Sequence, residues 1–170
     1  MMLFSFSINR FSFNWKIYLH VTNIVSSDYL YNRFVVLCMK GFSTDIEKAT
    51  LENSNFRKVL YTSKHSQLVL MSLKPGEEIG MEVHEENDQF FRFESGKGKC
   101  IIDGNEYEVG DGVAVVVPAG ADHNVINTSD SEELKLYTIY SPAHHKDGIV
   151  RATKEEAEAN EAEFDGTTTE

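Results

Sequence analysis

A chain of 170 residues with a formal net charge of −11 is long enough for one domain with a real core. The acidic balance argues against nucleic acid or an anionic membrane surface as partner, because both require clustered Lys and Arg. Cys38 and Cys100 stand far apart with no C-x-x-C spacing, which argues against a disulfide framework or a thiolate zinc site. Each reads as a small buried apolar residue, and the chain as a soluble, cytoplasmic protein.

Residues 1–38 hold nine of the nineteen aromatics and only four charged residues. A membrane span is disfavoured, since Arg10, Lys16 and Asp28 cut the apolar runs well below the ~20 residues required. No small-residue cleavage site follows a clean apolar core. The segment is expected to be an extension outside the native protein, with Met39 as the start, or else an added piece packed on the domain or across a dimer.

Residues 39–152 carry the domain. From Arg57 to Ser141 the apolar pattern alternates in short pieces bounded by turn residues, the mark of an all-β fold. Strands are expected at Lys58 to Thr62 and Gln67 to Leu73, the second ended by Pro75-Gly76. Gln89 to Glu94 places Gln89, Phe91 and Phe93 on one face and Phe90 and Arg92 on the other. After Ser95-Gly96-Lys97-Gly98, Cys100 to Ile102 and Glu106 to Val109 flank Asp103-Gly104-Asn105, a hairpin signal. Val113 to Val117 is an unbroken apolar run that fits a strand buried on both faces. Asn124 to Asn127 and Leu134 to Tyr140 complete the set. The loop after Pro142 contains His144 and His145 and reads as solvated; the alternative is a flap over a site. Residues 153–170 form an acidic tail, with a short helix capped by Thr153 and a frayed end after Asp165.

Two stretches carry the chemistry. Gly112 to Asn127 reads G-x5-P-x-G-x2-H-x3-N, with His123 just past a Pro/Gly turn. Upstream, Gly76 to Gln89 supplies Glu82, His84 and Gln89. Together they resemble the two motifs of the cupin superfamily, small β-barrels that hold one metal ion in the barrel mouth. The second motif matches at each fixed position. The first departs from H-x-H-x4-E, with Glu82 in place of the first His and Gln89 in place of the Glu. The resemblance implies a double-stranded β-helix (jelly-roll) with a short C-terminal helix, and a divalent ion held by Glu82, His84, His123 and Gln89.

Residue by residue, that set is coherent. Glu82 and His84 share a strand face. His84 and Gln89 do not, unless the polar run Glu85 to Asp88 bends the chain and resets the register. Donors limited to N and O suit Zn²⁺, Fe²⁺, Mn²⁺ or Ni²⁺. The glycines and Pro118 are expected to serve the backbone, and Asn127 to close a loop by hydrogen bonding. His65 has no partner nearby.

Cupins host many reactions, so the fold alone says little. The chain is similar to the small stand-alone cupins described as mannose-6-phosphate isomerase-like. Phosphomannose isomerases carry the same four ligand types with two positions exchanged. The resemblance implies aldose–ketose interconversion of a small carbohydrate-like substrate, with Glu86 and His145 as candidate bases. No basic cluster for a sugar phosphate is visible. Two alternatives stand beside it: a non-haem dioxygenase using Glu82, His84 and His123, and a metal- or ligand-binding cupin without catalysis. Exposed sheet edges and Phe90 point to a homodimer.

Overall fold

The computed structural model describes residues 39–170; the expectations for residues 1–38 lie outside them. Within Gly41–Glu170 the elements run α1 (Ile46–Glu52), β1 (Arg57–Thr62), β2 (Gln67–Leu73), β3 (Asp88–Ser95), β4 (Lys97–Ile102) and β5 (Asn105–Gly110). They continue with β6 (Ala114–Val117), β7 (His123–Asn127), β8 (Leu134–Ser141), β9 (Val150–Arg151) and α2 (Lys154–Ala159). Two antiparallel sheets result, ordered β6-β3-β8-β2-β1-β9 and β5-β4-β7. The chain before β3 lines up beside β7 through bridges at Glu78–Ile126 and Glu82–His123. This is the expected all-β jelly roll with a short C-terminal helix.

Period-two alternation explains most of the strands. On β3, Gln89, Phe91 and Phe93 are at most 1% exposed while Phe90 and Arg92 are half-buried. On β8, Leu134, Leu136, Thr138 and Tyr140 face inward in the same way. The hairpin between β4 and β5 has the predicted turn, with both Asp103 (φ 46°) and Gly104 (φ 78°) in the left-handed region.

Four features differ from the sequence reading. The apolar run of β6 is not buried on both faces: it is an edge strand, and Ala114 and Val116 are exposed. The strand buried on both faces is β2, where outward Leu70 is buried like its inward neighbours, and α1 packs on the outer side of β8, β3 and β2. Helix α1 was not foreseen, although Asp45 accepts from the Lys48 N–H at 3.1 Å as its N-cap. The C-terminal end is not frayed. Past α2, whose cap Thr153 accepts from Glu156 N–H, Thr169 exchanges backbone and hydroxyl hydrogen bonds with Thr62 of β1. Among the described residues, no helix is long and apolar enough to cross a membrane.

Candidate metal centre

The backbone brings the two motifs together. Glu82 and His123 each donate an N–H to the other's carbonyl at 2.9 Å, so their side chains leave the same face of the sheet. His84 returns to that face two residues later. The Pro118-Ala119-Gly120 turn holds the first motif in place: Gly120 N–H donates to the His84 carbonyl at 2.9 Å and Ala119 N–H to Asp88 Oδ1 at 3.0 Å. Gly120 sits at φ +81°, where a Cβ would be strained. The bend at Glu85 and Glu86 resets the register, so Gln89 also faces inward at 1% exposure.

The ligand atoms of Glu82, His84 and His123 lie within 4.8 Å of one another, and Glu82 Oε2 is 3.4 Å from His84 Nε2. Two ligands each ~2.1 Å from a shared ion are about 3 Å apart at a right angle and about 3.4 Å apart in a tetrahedron. A more specific sign is that His84 Nε2 is buried without a hydrogen-bond partner, a costly state unless a ligand completes it. His123 adds to this. Its Nδ1 is 3.2 Å from the Ala121 carbonyl and its Nε2 is 2.9 Å from Gln89 Oε1. A neutral imidazole has one N–H for these two oxygens. An ion between Nε2 and Oε1 resolves the conflict, with Nδ1–H on Ala121 fixing the tautomer. A turned Gln89 amide would also resolve it, leaving Gln89 as a donor to the ring and an acceptor from Thr138, now 3.1 Å from its Nε2. The residues fit a divalent ion.

Electrostatics agree. Burial works against charge on Glu82, but His84, Arg57 and His123 outweigh it and hold the carboxyl below its ordinary value. Burial lowers the basicity of His123, opposed by the Ala121 carbonyl and aided by His84. The imidazole is thus ready to ligate without first losing a proton.

The loop after β8 is not solvated. Gln67 Oε1 accepts from the N–H groups of His144 (3.3 Å) and His145 (2.9 Å), and its Nε2 donates to the His145 carbonyl at 2.6 Å. Beyond α2 the chain pairs with the loop's other edge, Lys146 N–H to Ala162 and Phe164 N–H to His144. The His144 ring therefore lies 4.2 Å from that of His84 and stacks on Tyr140 at 5.3 Å. His145 is 2% exposed, with Nε2 3.3 Å from the Tyr140 hydroxyl. Burial, with help from His84, lowers the pKa of His144 to about 4. Burial, then Arg57 and His144, lowers that of His145 to about 2. Burial and Glu82 raise that of Tyr140. Glu86 is exposed on the bend. Phe91 and Phe93 are core residues, and Phe91 walls the site 6.1 Å from the His123 ring.

Sequence reasoning missed Arg57. It opens β1 on the inward face, two residues before buried Val59, and is 6% exposed with Nη2 3.9 Å from Glu82 Oε1. A charge at an inward position of an alternating strand was the available signal.

Comparison with known proteins follows the same outline. The Cupin domain family matches residues 69–140, which include Glu82, His84, Gln89 and His123 and leave Arg57, His144 and His145 outside. The uncharacterized protein YrkC of Bacillus subtilis (strain 168) is 46% identical over 128 residues, covering 72% of this chain and 68% of its own. The uncharacterized protein L612 of Acanthamoeba polyphaga mimivirus is 44% identical over 112 residues, 64% of this chain and 70% of its own. The crystal structure of BH2720 from Bacillus halodurans superposes with a TM-score of 0.69 at 41% identity, covering 71% of this chain and 96% of that one. TT1209 from Thermus thermophilus gives 0.53 at 26%, covering 59% and 96%. With both motifs on jelly-roll strands and their side chains converging on one centre, the chain belongs to the cupin superfamily, as a small single-domain cupin.

Proposed function

We propose that this cupin is a divalent-metal-dependent isomerase that interconverts the aldose and ketose forms of a small carbohydrate-like substrate. The observation that carries the reading is the imidazole ring of His144 beside that of the ligand His84, 4.2 Å ring to ring. Moving a proton between adjacent carbons needs an electrophile on the oxygens and one base that reaches both carbons. A bound divalent ion supplies Lewis acidity to a carbonyl oxygen. In this reading His144 accepts the proton from the carbon beside the carbonyl, exchanges it with solvent and delivers a proton to the neighbouring carbon, while the hydroxyl proton passes from one substrate oxygen to the other. Tyr140, which keeps its proton, and the Gln67 bridge hold that imidazole in place. His144 is better placed for this role than Glu86, which is exposed, or His145, which is engaged by Tyr140.

The ligand set also supports a second reading, a non-haem oxygenase, because two histidines and one carboxylate meet beside the apolar wall of Phe91. One experiment separates the two. Metal-loaded protein is incubated with a panel of aldoses and ketoses in D2O under nitrogen and followed by NMR. The isomerase reading expects interconversion with solvent deuterium at C1 of the ketose or C2 of the aldose formed, lost in His144→Ala. Turnover that requires O2 and brings in no deuterium would sustain the oxygenase instead. No turnover by a protein that binds metal in a 1:1 ratio would leave a binding cupin. The reading also includes a cytoplasmic homodimer that covers Val116 on the β6 edge and its register partner Phe90. Light scattering at the monomer mass would refute the dimer.

A further inference from the structure

Resting on the metal-centre reading, the geometry points to Arg57 as an anion anchor and to a substrate that carries a carboxylate, a small hydroxy or oxo acid with sugar acids included. A guanidinium has five N–H donors. Arg57 is 6% exposed, its Nε is buried without a hydrogen-bond partner, and its charged partner among the described residues is Glu82 at 3.9 Å. The ring of Phe56 lies 5.9 Å beneath it. A buried cation in that state is expensive, and forked donors of this kind match a carboxylate edge.

Charge counting gives the sign of the missing group. A divalent ion, the Glu82 carboxylate and the Arg57 guanidinium sum to two positive charges, since metal-bound imidazoles are neutral and the Gln89 amide carries no charge. A carboxylate monoanion offsets half of this charge, whereas a neutral sugar offsets none. There is room for one. A cleft of about 210 Å3 opens onto Arg57 and Glu82 between Phe56, Gly80 and α2. This equals roughly seven waters at ~30 Å3 each. Lys154, 3.7 Å from Glu158, lines the cleft. Glu158 and Glu161 lie exposed on its rim, where water screens them. Arg57 is the one buried cation among the described lining residues, so the cleft offers one guanidinium fork, which matches the two oxygens of one carboxylate.

Calorimetry tests this with paired probes: galacturonate against galactose, glycerate against glycerol, and inorganic phosphate. Each is titrated into metal-loaded and metal-stripped protein, with metal content measured in parallel. Wild type should bind each acid at least tenfold more tightly than its neutral partner. Arg57→Met should abolish that preference while keeping a 1:1 metal content, with the fold checked by circular dichroism because the change also takes a partner from Glu82. Arg57→Lys should retain part of the preference, and it replaces Arg57→Met if that variant does not fold. Equal binding of neutral and acidic probes would overturn the proposal, as would phosphate outcompeting both acids. So would an acid preference that survives Arg57→Met, or loss of metal in that variant, which would make Arg57 a support for Glu82. Should wild type bind no metal, the metal-centre reading falls. An acid preference in stripped protein that depends on Arg57 would still uphold the anchor.

Discussion

Replacing Asn127 with alanine should cost about 3–4 kcal/mol of stability and leave the metal centre intact. The side chain is 1% exposed. Its Nδ2 donates to the carbonyls of Leu73 (3.0 Å), Lys74 (2.9 Å) and Glu132 (2.8 Å), and its Oδ1 accepts from Ser129 N–H at 2.9 Å. One amide thus ties the end of β2 to the connection between β7 and β8. Two N–H groups serve three acceptors, so the loss is about three hydrogen bonds at ~1 kcal/mol each, plus part of the penalty for a buried Leu73 carbonyl left unpaired. For a chain of this size, that lowers the melting temperature by about 10 °C. Asn127→Asp should be worse than alanine at neutral pH, because it turns a carboxylate toward three carbonyl oxygens. Urea and thermal denaturation measure both variants. His123 lies four residues away along β7, ~13 Å at strand rise, so metal content should not change. A loss below 1 kcal/mol in Asn127→Ala would refute the keystone role, and aspartate matching wild type would refute the donor assignment.

Three further outcomes follow from other contacts. Gln67→Leu frees the His144 and His145 N–H groups from their bridge; it should mobilise that loop, read as faster hydrogen exchange at 143–146, with the β3–β8 pairing still protected. Gly98→Ala places a Cβ 2.6 Å from both the Ile126 carbonyl and the Leu134 side chain, and should cost about 2 kcal/mol or more in urea denaturation. Burial raises the Cys100 thiol from its ordinary 9.0 to about 11. Between those values only the unfolded thiol ionises, so stability should fall as pH rises through that window. At pH 8 a Cys38→Ser protein should resist alkylation until it is unfolded.

What the sequence disclosed followed its periodicities. Alternation located β2 and β8 nearly to the residue, and the motif spacing brought Glu82, His84 and His123 to one point. The structure assigns the register reset before Gln89 to the bend at Glu85 and Glu86. Features set by long-range contacts did not show. Val113 to Val117 looked doubly buried because an apolar run cannot report that its strand lies at a sheet edge. The His144–His145 loop looked solvated because its anchors, Gln67 and the segment after α2, are distant in sequence. Arg57 sat inside a strand pattern as a charge, a signal that was present and not used.

The register explains how a polar centre and a dry core coexist in one barrel. On β2, β8 and β3, Gln67, Tyr140 and Gln89 are paired across one level. The inward residues at the next level are Val69, Thr138 and Phe91, and then Met71, Leu136 and Phe93. His123 begins β7 and is followed on the same face by buried Val125. Each inward column therefore starts polar at the mouth and turns apolar within two or four residues. The polar level is largely self-satisfied, through Gln89 to Thr138 and His123 and through Gln67 to Thr62 and His145. The groups that remain unpaired in the site are His84 Nε2 and Arg57 Nε. A one-residue slip would turn every column inside out, so the apolar levels lock the register that keeps both groups on the buried side of the sheet.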